Sequence, residues 1–371
     1  MRRAQCEFMG ADSGVIILIA GFVFAGFMVL ALVGVFKDER IGLVRDKPGR
    51  KKRGSAQPAK RRASRSRKRD QAKLLPADAT VTFAAEREAA DIDEVFEALD
   101  NDLVGLVPVK KKVQEIAALL LVDRARQRFG LDAPRPNLHM CFTGPPGTGK
   151  TTVALRMADL LHRLDYVEQG QLVHAMRDDL VGEYIGQTAP KTKRVLGRAM
   201  GGVLFIDEAY YLYRIGDSLD YGQEAIDILL QVMENDRDKL VVILAGYKDR
   251  MDEFFTSNPG MRSRIAHHLD FAAYELDELT AIGQLMLNQS RYYLSEDAEE
   301  AFRQYLTGQM DEPQFANARS VSNELERARL RLALRLASVL HHNWTRDDLM
   351  RLESVDILDG HADLLLERNG S

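Results

Sequence analysis

The run Gly144-Pro-Pro-Gly-Thr-Gly-Lys-Thr-Thr152 follows the apolar stretch LHMCFT (138–143) directly and opens the helical pattern VALRMADLLHRL. It is a complete G-x-x-x-x-G-K-[ST] phosphate loop in the strand–loop–helix setting that gives the motif its meaning. A chain carrying it must deliver a glycine-rich turn from the end of a strand to the N-terminus of a helix, which points to an α/β fold. Gly144, Pro145, Pro146, Gly147, Thr148, Gly149, Lys150, Thr151 and Thr152 form the cradle. Backbone N–H groups converge there on the phosphates of a nucleotide such as ATP, Lys150 neutralises them, and the Thr151 hydroxyl suits Mg²⁺.

Further apolar runs follow with helical stretches between them: LVHAM (172–176), GVLFID (202–207), LVVILAG (240–246) and IAHHLDF (265–271). Short, nearly continuous apolar strands alternating with helices predict a five-stranded parallel sheet covered on both faces, over residues 85–271. The third run delivers Asp207 and Glu208 to its C-terminal end, beside the phosphate loop. Asp207 suits the Mg²⁺ shell and Glu208 the polarising of an attacking water. Upstream, 86–99 reads as a short acidic helix and 108–129 as a longer one with Val109, Val113, Ile116 and Leu120 on one face. After Phe271 the strand signals stop. Helical patterns at 276–289, 296–307 and 320–341, and a weaker one from Arg346, predict a small all-helical domain over 272–371.

With only Cys6 and Cys141, the chain has no disulfide framework and no cysteine metal cage. Histidines show no ligand spacing: His267 and His268 are adjacent on a strand and face opposite ways, and His341 and His342 end a helix. The stretch 13–36 holds no charge and is long enough to cross a bilayer as one helix; a signal peptide is the rival reading. Residues 37–73 carry sixteen Lys and Arg against four Asp and Glu, whereas the whole chain has a net charge of −4. That excess predicts a cytoplasmic C-terminal side, with the N-terminus outside. Residues 37–84 read as a disordered basic linker, a topology signal also suited to anionic headgroups. Nucleic acid is disfavoured, since no aromatics interleave with the charges.

Together these residues resemble the AAA+ ATPase superfamily over about 85–340, with the smaller domain as its lid. The resemblance implies a ring, usually a homo-hexamer, in which one subunit's arginine meets the γ-phosphate held by its neighbour. Asn258-Pro-Gly-Met-Arg262-Ser-Arg264 stands where that finger lies, with Arg264 favoured over Arg262. Arg319, opening the long lid helix, is similar to the second sensor. Val104-Gly105-Leu106 resembles the adenine-pocket segment. At the first-sensor strand this chain has Gly246-Tyr247 where many relatives carry Thr-Asn, so that role is unassigned. LVGEYIGQT (180–188) stands where the family inserts its first pore loop. Tyr184 and Ile185 would grip an extended peptide and Gly186 would let the loop swing.

HMCFTGPPGTGKTTVALRMADLLHRL, APKTKRVLGRAMGGVLFIDEAYYLYR, YGQEAIDILLQVMEN, LAGYKDRMDEFF, NPGMRSRIAHHLDF and FANARS are similar to the CbbX/CfxQ family of red-type Rubisco activases, from about Glu94 to His341. That resemblance implies an ATPase stimulated by ribulose 1,5-bisphosphate that pulls on the C-terminal tail of the Rubisco large subunit and releases inhibitory sugar phosphates. The family has no counterpart of residues 1–84, which keeps open a membrane-tethered threading ATPase of the sporulation or type VII secretion kind, and a non-threading scaffold.

Overall fold

The computed structural model describes residues 74–131, 134–213, 221–338 and 343–357. The predicted membrane span (13–36) and the basic stretch 37–73 lie outside the described residues. Among the described residues no helix is long and apolar enough to cross a membrane.

Three helices precede the sheet: α1 (Phe83–Ala89), α2 (Ile92–Asp102) and α3 (Val107–Arg128). The single helix expected over 86–99 is two, because Asp91 adopts φ 51° and breaks the ladder between them. Aspartate is among the few residues that tolerate that left-handed conformation. The linker also stops earlier than expected. Leu75 N–H donates to the Arg128 carbonyl, and Thr82 Oγ caps α1 by accepting from Ala85 N–H. The expected α3 face is buried through Val109, Val113, Ile116 and Leu120.

The sheet strands are β1 (Met140–Thr143), β2 (Leu172–Ala175), β3 (Val203–Ile206), β4 (Val241–Gly246) and β5 (His267–Asp270). They run all parallel in the order β2-β3-β4-β1-β5. Alternate strand residues supply two cores, as the two-residue period of a strand requires. Phe142, Phe205, Ile243 and Leu269 face α3, α4 (Lys150–Arg163) and the lid. Cys141, Leu204, Ile206 and Leu244 face the other layer, which includes α6 (Thr188–Ala199), α7 (Gly222–Asn235) and α8 (Lys248–Ser257). Between β2 and α6 lies the one-turn α5 (Arg177–Leu180), and α9 (Pro259–Arg264) precedes β5.

The lid comprises α10 (Leu276–Ser290), α11 (Glu296–Met310) and α12 (Ala318–Ala337). It is helical as expected, with one addition: β6 (Tyr293–Leu294) and β7 (Arg351–Leu352) pair in parallel. The stretch from Arg346 turns into β7 first, and a helical turn begins only at Ser354. Asp356, almost fully buried, accepts from both Nε and Nη2 of Arg335 and so straps this segment to α12. Such a bidentate pairing is invisible to apolar periodicity.

A candidate nucleotide site and pore loop

The sheet's polarity gathers the chemistry. The phosphate loop leaves β1, Asp207 and Glu208 leave β3, and Tyr247 leaves β4, all at the same C-terminal edge. Gly144 N–H donates to the Gly246 carbonyl at 3.1 Å, tying the loop's first residue to the end of β4. Gly149, at φ 86°, ends the loop and caps α4. The N–H groups in the first turn of α4 then face the cradle without helical partners. Lys150 Nζ donates to the carbonyls of Gly144 and Pro145 at 2.9 and 2.6 Å. Burial holds its pKa below the ordinary lysine value, and Arg319 pushes the same way, while Asp207 and Glu208 oppose both. The four charged groups predicted for the site therefore feel one another.

Asp207 is half-buried, which alone would raise its pKa. The His174 side chain, the Glu208 N–H and the charge of Lys150 outweigh burial and hold the carboxyl below its usual range. His174 Nε2 stands 3.8 Å from Asp207 Oδ2, and its ring stacks on Phe205. Sequence reasoning missed this residue, because a lone histidine in an alternating strand gives no signal of its neighbour across the sheet. Glu208 sits at φ 49°, a conformation uncommon for a residue with a side chain and concentrated at functional sites.

The lid lies directly on the loop. Asn317 Nδ2 donates to the Pro146 carbonyl, its Oδ1 accepts from Tyr274 N–H, and Ala318 N–H donates to the Gly147 carbonyl. Packing is so close that a Cβ on Gly147 would lie 2.0 Å from the Ala316 carbonyl oxygen. Arg319 follows in the first turn of α12, where its charge reaches Lys150. On the other side, Leu103 and Leu106 lie against Gly149, bringing the Val104–Leu106 segment to the loop.

These groups fit a magnesium nucleotide. The donor set is a phosphate cradle with two cations, and the hard-oxygen set is Asp207 with the exposed Thr151. Among the described residues there is no cluster of three or more His, Cys, Asp or Glu that could hold a metal alone. A site that leans on substrate phosphates and one or two protein oxygens suits Mg²⁺. Cys141 is buried, and burial pushes its thiol up to about 12, so it offers no nucleophile.

Arg264 lies before β5, at the N-terminal edge of the parallel sheet, opposite the edge that holds the phosphate loop. Its guanidinium donates to the Gly260 carbonyl at 2.8 Å and pairs with Glu234 at 3.3 Å. Arg262, two residues earlier on the same short helix, is exposed. Neither is gathered to the chain's own phosphate loop.

The Tyr184–Gly186 tip projects from a fixed base. Thr188 Oγ accepts from Gly182 N–H, Thr192 Oγ donates to the Leu180 carbonyl, and Lys191 Nζ donates to that of Val181. Lys191 thus serves the loop backbone. Tyr184 is 66% and Ile185 84% exposed, while Gly186 takes φ 81° with open space where a Cβ would be.

Residues 140–272 match the family model described as ATPase family associated with various cellular activities (AAA), and 275–364 match the AAA lid domain. The ribulose bisphosphate carboxylase/oxygenase activase, chloroplastic, of Cyanidioschyzon merolae is 57% identical over 75% of this chain and 95% of its own length. Protein CbxX, chromosomal, of Cupriavidus necator is 62% identical over 69% of this chain and 80% of its own. Protein CbbX of Cereibacter sphaeroides is 62% identical over 70% and 84%. Among solved structures, Thermotoga maritima RuvB aligns with a TM-score of 0.47 and 20% identity over 71% of each chain.

Proposed function

The chain belongs to the CbbX/CfxQ family of AAA+ ATPases, and we propose that it acts as a red-type Rubisco activase. It hydrolyses ATP in a homo-hexameric ring and pulls on the C-terminal tail of the Rubisco large subunit, releasing inhibitory sugar phosphates. The observation that carries this reading is the exposed Tyr184–Ile185 tip on its hydrogen-bonded base. Two adjacent large apolar side chains held out in solvent on a hydrogen-bonded base suit a contact with another molecule. An aromatic and an aliphatic side chain at a flexible glycine suit any extended peptide. The activase name borne by a relative matched over nearly its whole length supports Rubisco as the client.

In this reading the cradle 144–152 orients the triphosphate, and Lys150 and Arg319 offset its charge. Thr151 and Asp207 would hold Mg²⁺, which would supply positive charge against the phosphates. Glu208 polarises the attacking water. Arg264 of one subunit reaches the γ-phosphate of the next, since its own phosphate loop lies at the far edge of its own sheet. Ribulose 1,5-bisphosphate stimulates turnover. Residues 13–36 tether the ring to the membrane, with the ATPase on the cytoplasmic face.

The test is the ATPase rate of the purified full chain with and without ribulose 1,5-bisphosphate, beside its ability to restore carboxylation by a sugar-phosphate-inhibited red-type Rubisco. Stimulation and restored carboxylation are expected. Turnover that ignores the sugar, with no effect on Rubisco, would replace this reading with a membrane-tethered threading ATPase for another client, a reading the uncharged stretch 13–36 favours.

A further inference from the structure

One polar group beside Glu208 has no use in the scheme above. Tyr210 lies two residues after Glu208, on the single 3₁₀ turn Ala209–Leu212 that the left-handed Glu208 launches. The residue is only 7% exposed, and its hydroxyl oxygen is buried without a hydrogen-bond partner. Its ring rests on Gly246 so closely that a Cβ there would lie 2.7 Å from Tyr210 Cδ1. Gly246 in turn accepts the hydrogen bond from Gly144 that anchors the phosphate loop. Tyr210 therefore links the turn that carries Glu208 to the end of β4, to which the loop's first residue is tied.

Neighbouring groups fix the ring but leave the hydroxyl unspent. The Tyr211 ring lies 4.6 Å away and that of Tyr247 6.1 Å away, centroid to centroid. The Arg250 guanidinium stands 5.2 Å from the Tyr210 centroid and gives its N–H to Tyr211 Oη at 3.3 Å, its hydrogen-bonding pull on the Tyr210 hydroxyl being weaker than that on Tyr211. Burial raises the Tyr210 pKa and the Glu208 carboxylate raises it further. A phenol so placed keeps its proton at neutral pH and is a donor. Phenylalanine would fill the same space without burying a lone hydroxyl, which is unfavourable unless the group finds a partner.

We propose that Tyr210 is a positioning residue for ATP hydrolysis, its hydroxyl donating to the Glu208 carboxylate and holding it in the orientation that polarises the attacking water. In the step it serves, the water oxygen bonds to the γ-phosphorus as the bond to the β–γ bridging oxygen breaks. The electron pair leaves on ADP, and the water proton passes to Glu208 and then to the released phosphate. Hydrogen bonds of this kind are often long until substrate is seated, and then close. The inference rests on the assignment of Glu208 to the water.

The test compares Tyr210→Phe, Glu208→Gln and the double variant of the full chain, reading kcat, KM for ATP, affinity for a fluorescent ATP analogue, and Tm. Tyr210→Phe should lower kcat by roughly 10- to 100-fold, since a positioned catalytic hydrogen bond is worth factors of that order. KM and analogue affinity should stay within about twofold, a split that loss of packing would not give. Tm should hold or rise, because only an unpartnered hydroxyl is removed. The double variant should turn over no more slowly than Glu208→Gln alone. Parental kcat in Tyr210→Phe, an additive double variant, or a drop in Tm with weaker nucleotide binding would each overturn the role of Tyr210. Parental turnover by Glu208→Gln would overturn the Glu208 assignment itself, and this inference with it.

Discussion

Replacing Asn317 with alanine should unlatch the lid from the phosphate loop. Asn317 is 2% exposed and sits at φ 49°, ψ −128°, outside the left-handed well where asparagine is at home and strained for any residue with a side chain. Its amide orientation is dictated by its partners, since the Pro146 carbonyl can only accept and the Tyr274 N–H can only donate. Alanine removes two hydrogen bonds worth about 0.5–1.5 kcal/mol each and strands a buried N–H at a further cost of about 1–3 kcal/mol. The docked lid should lose about 2–6 kcal/mol, which is roughly a 30- to 20,000-fold shift toward the open arrangement. Arg319 follows two residues later, so opening withdraws its charge from the nucleotide. Affinity for a fluorescent ATP analogue should fall by about tenfold or more, within that shift. Amide hydrogen exchange should quicken through the first turn of α12 and at Tyr274. An Asn317→Ala protein with parental exchange at these amides and affinity within twofold of the parent would refute the latch.

Lys150→Ala should weaken nucleotide binding, measured by equilibrium titration, while Glu208→Gln should bind ATP and turn it over about 10²- to 10⁴-fold more slowly. Arg264→Ala should lower turnover of the assembled protein by about 10³-fold or more and leave nucleotide affinity largely intact; parental turnover would remove Arg264 from the site. Tyr184→Ala should keep ATP hydrolysis and abolish rescue of inhibited Rubisco. His139 is buried, donating from Nε2 to the Met233 carbonyl and accepting at Nδ1 from Val242 N–H. Burial lowers its pKa from the ordinary 6.5 despite the Met233 carbonyl and Glu234. The neutral ring is thus the folded form, so stability should be complete above pH 6.5 and drain away as pH falls toward the lowered value. A Tm profile between pH 7.5 and 5 reads this, and His139→Leu should flatten that part of the profile.

The five strands and the phosphate loop were legible because they rest on period and spacing, which a linear string displays. VLFI and VVILAG read as buried strands since both of their faces are covered. The break at Asp91 was hidden because an acidic helical pattern runs straight through it, and only the backbone angle divides α1 from α2. The β6–β7 ladder joins residues nearly sixty apart with two residues in each strand, too short to leave a pattern. At the site, Lys150, Asp207 and Glu208 could be named from motif alone. His174, Asn317 and Tyr210 could not, since each matters through a neighbour that the fold, not the sequence order, supplies.

The parallel sheet also sets an economy of fuel. With the phosphate loop at one edge and Arg264 at the other, a solitary subunit that depends on the proposed arginine finger would hold both halves of a hydrolytic site and close neither. Specific activity should then climb with protein concentration and collapse on dilution, at a threshold that reports ring assembly. Free subunits would carry nucleotide without consuming it, so that ATP would be spent only where the proposed ring brings its Tyr184 tips together.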